Sequence, residues 1–355
     1  MENRIKKGIL CDHIKPNHLI PQTELSPNHA IQAGDIALFE VTEIGKHTQI
    51  QTAGRNMTLA IGDLIMGAFG ARYATNQFEG YVPEHPQEEY HMLGGGGIIG
   101  ILESAHSKLE KEGPTRLKMV GFAADQSGQI INSISQESPK LKRFDGSNAA
   151  KTKVILSLGS SMDSGKTTTA AFLCHGFAKQ GIKSAYIKLT GTAYPKDRNL
   201  AYDMGAGIAI DFVNYGFPST YLRSEIELLN LYETLLEEVL SIDPEYVVVE
   251  IADGLFQRET KMLLQNPVFM NTVHQVVFSS GDSLAAVQGV HTLNNWGIMP
   301  AALSGLFTAS PLLIKEVREY LSERQDLPTL PILTLEDLTL GKWPINKVNF
   351  HLLQA

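Results

Sequence analysis

The sequence predicts an α/β protein in which a doubly wound, mostly parallel sheet follows a smaller β-rich, barrel-like domain. Short β-like runs with glycines between them fill residues 31–132, whereas strand and helix patterns alternate from residue 153 onward. A chain of 355 residues also exceeds one ordinary hydrophobic core. We therefore predict an irregular arm over 1–30, the β-rich domain over 31–132, a linker over 133–152 and the α/β domain over 153–355.

Composition and charge exclude several classes of function. The formal net charge of −8 argues against broad binding to a nucleic-acid backbone. The two cysteines, Cys11 and Cys174, are not in a metal-type pair, which fits a reducing cytoplasm. The polar N-terminus lacks the apolar core of a signal peptide, and no apolar stretch of about 18 residues predicts a spanning helix. We expect a cytoplasmic protein with a small-molecule substrate and without nucleic-acid or membrane partners.

The β-rich domain carries two features with possible functions. Polar side chains follow its predicted strands, and Arg72, Asn76 and Gln77 form a donor-rich set suited to a polar substrate or its carboxylate. A solvated loop explains them equally well. The run Gly94–Gly97 is either a hinge or a place where the backbone approaches something closely, such as a second anion.

The α/β domain shows a regular alternation. Strands are predicted at 153–158, 184–189, 245–251, 273–279, 299–304 and 330–334, and helices at 167–180, 225–241, 283–295 and 311–324. The run Val247-Val248-Val249 is typical of a parallel sheet that is covered on both faces. Such sheets bind ligands at the carboxyl ends of their strands.

The first of these strands leads into a motif of a phosphate-binding loop. Small residues let backbone N–H groups turn around an anion, and the following helix adds its partial positive charge. Lys166 would reach the phosphates, Thr167 would ligate Mg²⁺ and Asp163 would orient substrate or metal. The predicted nucleotide contacts are Gly159, Ser160, Ser161, Met162, Asp163, Ser164, Gly165, Lys166, Thr167 and Thr168.

Other candidates lie near the ends of neighbouring strands. Lys188 would be costly to bury without an anionic partner, which indicates a phosphate or an anionic substrate. Glu250 ends an apolar strand, where a magnesium-nucleotide site needs a carboxylate. Asp211 or Asp253 would complete the metal site, and we also assign Thr190 and Arg258 to the substrate.

The loop resembles that of dethiobiotin synthetase, whose pattern is Gly-Thr-Asp-Thr-x-Val-Gly-Lys-Thr. Both have five residues between the glycines, here Gly159 and Gly165, rather than the usual four. The resemblance implies that Lys188 contacts phosphate and substrate and that Glu250 serves Mg²⁺. The domain is also similar to P-loop proteins that include D-glutamate N-acetyltransferases. Neither resemblance covers the β-rich domain.

These observations favour an ATP- and Mg²⁺-dependent kinase or ligase that phosphorylates a small, carboxylate-bearing metabolite. In this scheme Lys166 and Lys188 offset charge on the transferred phosphoryl group, and Arg72 with its neighbours contacts the substrate. One alternative is a CoA-dependent N-acyltransferase that holds CoA in the phosphate loop, and another is a nucleotide-dependent switch. The lack of a clear guanine-reading Asn/Lys-x-Asp motif favours ATP over GTP. The resemblance of the α/β domain to P-loop proteins suggests a homodimer.

Overall fold

Two large sheets organise the protein. The structure, a computed structural model, describes residues 4–25, 30–324, 327 and 329–343. The chain forms two compact units: residues 1–141, 192–195 and 212–222 make the first, and residues 142–191, 196–211 and 223–355 make the second. The remaining parts of the predicted arm and of the predicted α/β domain lie outside the described residues.

The first unit is built mainly from β-strands. Its elements are β1 (Lys6–Lys7), β2 (His18–Ile20), β3 (Ile36–Glu43), β4 (Gln49–Gln51), β5 (Asn56–Thr58), β6 (Leu64–Phe69), β7 (Arg72–Tyr73), β8 (Phe78–Tyr81), β9 (Tyr90–Gly94), β10 (Ile98–Ala105), β11 (Thr115–Ala124) and α1 (Ser133–Glu137). Nine strands form one sheet in the order β1-β6-β3-β11-β9-β10-β8-β7, with β2 on β11 and a further pairing of β10 with β6. Strands β4 and β5 pair separately.

Aromatic side chains fill the centre of the first unit. Phe39, Phe69 and Tyr90 are fully buried, and their rings meet edge to face at centroid distances of 5.5 to 5.8 Å. Burial alternates over the first six residues of β11, as in a strand with one exposed face, and the last four residues are all buried. The strands are therefore held by one apolar core, and the barrel-like form stays a prediction.

The N-terminal arm and the linker are more ordered than the sequence suggests. Within the described part of the predicted arm, β1 pairs with β6 and β2 pairs with β11. The predicted linker begins with α1, which Asn132 caps through its side chain. Residues 192–195 and 212–222, which follow strands of the second unit, belong to the first unit. Strands of two or three residues leave little pattern in a sequence, which explains why β1 and β2 were not predicted.

The second unit alternates strands and helices. Its elements are β12 (Lys153–Gly159), α2 (Lys166–Lys179), β13 (Ser184–Lys188), α3 (Lys196–Asp203), β14 (Ile208–Asp211), α4 (Glu225–Val239), β15 (Tyr246–Glu250), α5 (Arg258–Leu264), α6 (Pro267–Met270), β16 (Gln275–Ser279), α7 (Ser283–Asn295), β17 (Ala302–Ser304), α8 (Pro311–Ser322) and α9 (Leu335–Thr339). Predicted strand 330–334 contributes one bridge, from Ile332 to Leu303.

All pairings in the second sheet are parallel, in the order β14-β13-β15-β12-β16-β17. Every residue of β15 is buried, as its apolar sequence predicts. The α/β class with a mostly parallel sheet is confirmed. Since β12 lies between β15 and β16, the loop after β12 emerges at the middle of the sheet's carboxyl edge.

Local sequence signals fix the helices that matter here. Helix α2 ends before Gly181, whose φ of 71° suits the left-handed position after a helix. Ser224 and Glu227 form a capping box at the start of α4. No helix among the described residues has the length and apolarity to cross a bilayer.

Candidate nucleotide-binding site

Residues 159–167 form a tight loop between β12 and α2. Gly165 has a φ of 95° and Asp163 a φ of 62°, conformations that turn the backbone sharply. No side chain caps the first turn of α2. The Oγ of Ser157 in β12 donates to the carbonyl oxygen of Lys166 at 3.0 Å, which ties strand to helix. The N–H groups of the first turn are thus left to an anion.

Two glycines from other strand ends pack against this loop. A Cβ at Gly254, after β15, would clash with the carbonyl oxygen of Ser160. A Cβ at Gly305, after β17, would lie 2.6 Å from the carbonyl oxygen of Ser164, and Gly305 itself has a φ of 105°. Close backbone packing on both sides fixes the loop, and it explains why the chain has glycine at both positions.

A buried carboxylate links the helix to the sheet. Glu250, 1 % exposed at the end of β15, accepts from the Thr167 Oγ1 at 2.8 Å and from the Tyr186 hydroxyl at 2.6 Å. Burial and the nearby Glu250 carboxylate raise the pKa of Tyr186 well above its ordinary value. Tyr186 therefore donates and holds the carboxylate in place beside the loop.

Lys188, at the end of β13, lies next to the Glu250 carboxylate. Its register pairs it with Glu250 on β15 and with Asp211 on β14. The Lys188 Nζ forms an ion pair with Asp197 of α3 and lies 3.8 Å from the Glu250 Oε1. Protein carboxylates therefore offset the charge of Lys188, and its partial burial does not by itself require a phosphate.

Lys166 and Ser164 supply polar groups that the fold does not use fully. Lys166 is 6 % exposed, and its ammonium donates to the Ser161 carbonyl oxygen at 3.1 Å. Burial lowers the pKa of Lys166, while Glu250 and Asp253 oppose that effect. The buried Ser164 Oγ has no hydrogen-bond partner among the described residues. An orphaned hydroxyl, a buried ammonium and an uncapped helix start fit the phosphates of a nucleotide.

The predicted metal ligands are brought together only in part. Thr167 and Glu250 are in direct contact. Asp211 is two strands from Glu250, about 10 Å across the sheet, and it pairs with Arg198 at 3.4 Å. Asp253, with a φ of 64°, follows β15 and acts electrostatically on Lys166. The described residues contain no group of three or more His, Cys, Asp or Glu suited to a metal.

The predicted substrate residues fall in three places. Arg72, Asn76 and Gln77 belong to the first unit, where Arg72 donates to Gln77. The Thr190 Oγ1 accepts from the Ala252 backbone at 2.8 Å and supports the turn after β15. Arg258 pairs with the buried Glu259 and donates to the carbonyl oxygen of Arg223, just before α4, at 3.0 Å. These contacts leave the assignment to substrate a prediction.

Sequence reasoning missed three contributors to the site. Asp197 was one of several acidic residues in a polar stretch, and only the fold shows that it meets Lys188. Tyr186 could have been identified from its position, because it lies two residues before the strand-end Lys188 and so shares its face of β13. Gly305, directly after an apolar strand, could have been identified as a second close approach to the loop.

Comparisons with known proteins found similarity only among solved structures. No protein-family model and no curated protein matches the chain. The signal recognition particle receptor FtsY from Elizabethkingia anophelis shares 18% identity, over 58% of this chain and 67% of that one, with a TM-score of 0.37. A DUF1611 family protein from Anabaena variabilis shares 13%, over 61% and 63%, with a TM-score of 0.38.

A third structure is a nucleotide-binding protein from Archaeoglobus fulgidus in complex with ADP, at 14% identity over 59% of this chain and 89% of that one, with a TM-score of 0.32. The resemblance to dethiobiotin synthetase stays an inference from the loop sequence. The geometry itself defines the class: the strand, the loop, the buried lysine and the threonine bonded to a strand-end glutamate have the arrangement of a P-loop nucleotide-binding unit.

Proposed function

We propose that this protein is an ATP- and Mg²⁺-dependent enzyme that transfers a phosphoryl group to a small polar metabolite, with a carboxylate as the acceptor or recognition group. The observation that carries the proposal is the shared carboxylate of Glu250. It binds Thr167 at the start of α2 and lies 3.8 Å from the ammonium of Lys188. A polyphosphate in the loop would therefore have cations and a metal-holding carboxylate on the sheet side.

Each residue has a role that follows from its position. The backbone of Gly159–Thr167 and the Lys166 ammonium would bind phosphate oxygens. Thr167 and Glu250 would hold Mg²⁺, which neutralises negative charge on the phosphates when it is bound. Lys188 can exchange Asp197 for an incoming anion, because either one offsets the charge of its mostly buried ammonium. Glu250 and Tyr186 would keep this ammonium facing the loop.

Phosphoryl transfer also explains why a threonine and a glutamate meet here. A loop that held only the pyrophosphate of CoA would have no need for a metal, and so no need for the Thr167–Glu250 pair. An acyltransferase therefore predicts acetyl-CoA binding that is independent of Mg²⁺. A nucleotide switch predicts slow hydrolysis that no metabolite accelerates.

A screen of ADP release tests the proposal. Wild-type protein is assayed with a panel of small carboxylates for ADP release from Mg·ATP, with GDP release from Mg·GTP and CoA release from acetyl-CoA measured in parallel. Lys166→Ala and Lys188→Ala are compared with Lys179→Ala, which removes an exposed lysine at the far end of α2. We expect metabolite-dependent ADP release that falls at least 100-fold in the first two variants and stays unchanged in the third. Equal turnover in all three would exclude the proposed site.

A further inference from the structure

The first unit contains a second group of cations. Lys46 follows β3, and Arg72, 8 % exposed, lies in β7. Both side chains donate to one atom, the Oε1 of Gln77: the Arg72 Nη2 lies 2.6 Å from it, and the Lys46 Nζ also bonds to it. Two donors at one oxygen also fix the orientation of the Gln77 amide. A neutral acceptor thus brings two positive charges close together.

The surrounding residues hold these cations rigidly. The carbonyl oxygen of Leu93 accepts from the Arg72 Nη1, and the His47 Nε2 lies 3.2 Å from the same oxygen. Since a carbonyl only accepts, His47 carries its proton on Nε2. The Lys46 ammonium lies 5.7 Å from the centre of the Phe78 ring, a cation–π distance. The geometry is therefore set before any ligand arrives.

The glycine run beside Leu93 has a packing role. A Cβ at Gly94 would lie 3.2 Å from the Arg72 Nη1, and a Cβ at Gly96 would clash with the carbonyl oxygen of Ala193. Gly97 has a φ of 86° and packs on the backbone of Gly8. Of the two interpretations of this run, close backbone approach is the one observed, and the backbone approached is the protein's own. The run keeps space around the guanidinium.

The Lys46 ammonium is poorly compensated by the protein. Among the described residues, no carboxylate forms an ion pair with the Lys46 ammonium, and Gln77 brings no charge. Burial and the neighbouring Arg72 lower the pKa of Lys46 to about 8, with Glu112 opposing, and burial lowers the pKa of His47 to about 3. A half-buried ammonium beside a guanidinium is unfavourable unless an anion offsets the charge of the ammonium. Such arrangements are concentrated at functional sites.

We propose that Lys46 and Arg72, held by Gln77 and by the Leu93 carbonyl, form an oxyanion-binding site in the first unit that takes the carboxylate or phosphate group of a small molecule. An oxyanion would accept from the N–H groups of the Lys46 ammonium that Gln77 leaves unused, next to the Arg72 guanidinium. Arg72 and Gln77 were predicted to contact substrate from the sequence, whereas Lys46 and His47 were not. The site lies within one unit, so it does not depend on the proposed phosphoryl transfer.

Titration with two simple anions tests the site. The full chain carries Lys166→Ala, so that the phosphate loop contributes little, and orthophosphate or succinate is titrated calorimetrically at constant ionic strength. We expect binding of one anion per chain. Lys46→Met should weaken it at least tenfold, whereas Lys118→Met, which removes an exposed lysine of β11, should not change it.

A second variant fills the site from within. Gln77→Glu places a carboxylate between the two cations with almost no change of shape, so it should abolish anion binding and raise the melting temperature by about 2–4 °C. This variant also decides the matter if Lys46→Met does not fold. Binding of succinate alone or of phosphate alone would assign the chemical class. Undiminished binding by Gln77→Glu, equal effects of the two lysine variants, or no binding of either anion would overturn the proposal.

Discussion

The packing of Gly254 against the phosphate loop makes a quantitative prediction. A Cβ at residue 254 would lie closer than 3.0 Å to the Ser160 carbonyl oxygen and at 3.0 Å from both its carbonyl carbon and the Ser161 Cα. Backbone atoms cannot rotate away as a side chain can, so in Gly254→Ala the loop has to retreat by about 0.5 Å or more. In catalysis a misplacement of about 1 Å can cost about 100-fold in rate. For this smaller shift of groups that hold phosphate we expect roughly tenfold weaker nucleotide binding, or about 1.4 kcal/mol.

The control for this variant is Gly281→Ala. Gly281 follows β16 in the same unit, and a Cβ there meets nothing within 4 Å. Neither glycine has a φ in the left-handed region, so the two substitutions differ in contact and not in backbone strain. Affinity for Mg·ATP is measured by calorimetry, with circular dichroism as a check of folding. Wild-type affinity in a folded Gly254→Ala protein would refute the close packing that we describe.

Three further predictions concern the buried charges. Glu250→Gln keeps the shape of the side chain but weakens the hydrogen bonds that Thr167 and Tyr186 donate to a charged acceptor. The free energy of unfolding in urea should therefore fall by about 2 kcal/mol. The control Glu237→Gln changes an exposed carboxylate and should lower it by less than about 0.5 kcal/mol. Anion binding near Lys46 should be strongest below pH 8 and weaken as pH rises through about 8, since the ammonium loses its proton there. In Lys46→Arg the guanidinium stays charged, so anion affinity measured over a series of pH values should no longer decline. The charged and titratable groups that face this ammonium are Arg72, His47, Lys108 and Glu112. Burial raises the pKa values of Cys11 and Cys174 to about 12, so a disulfide reagent at pH 8 should modify neither thiol until the protein is unfolded, and rapid labelling of the native protein would contradict this.

Local patterns allowed much of the second unit to be predicted. The sharp turn of the phosphate loop requires small residues, so its Gly-Ser sequence with Gly165-Lys166-Thr167 can be recognised. The apolar run of β15 identifies a strand that is covered on both faces of the sheet. These signals place Lys166, Thr167 and Glu250 at one edge of the sheet. Contacts between distant segments carry no such signal, so the ion pair of Lys188 with Asp197 emerged only from the fold.

The first unit was harder to predict for physical reasons. Strands of two or three residues, such as β1 and β7, are too short for a period of two to be visible. Lys46 could not be identified as a binding residue from the sequence, because its hydrogen-bond partner Gln77 lies 31 positions away along the chain. A sequence shows which residues can bind an anion, whereas only the folded structure shows whether a cation such as the Lys46 ammonium meets a carboxylate.

Calorimetric binding of ATP with and without Mg²⁺, in wild type, Lys166→Ala and Lys179→Ala, tests the central claim most directly. The arrangement of the loop, Thr167 and Glu250 predicts one nucleotide per chain, at least tenfold tighter with Mg²⁺, lost in Lys166→Ala and retained in Lys179→Ala. Binding that ignores both the metal and the loss of Lys166 would contradict it.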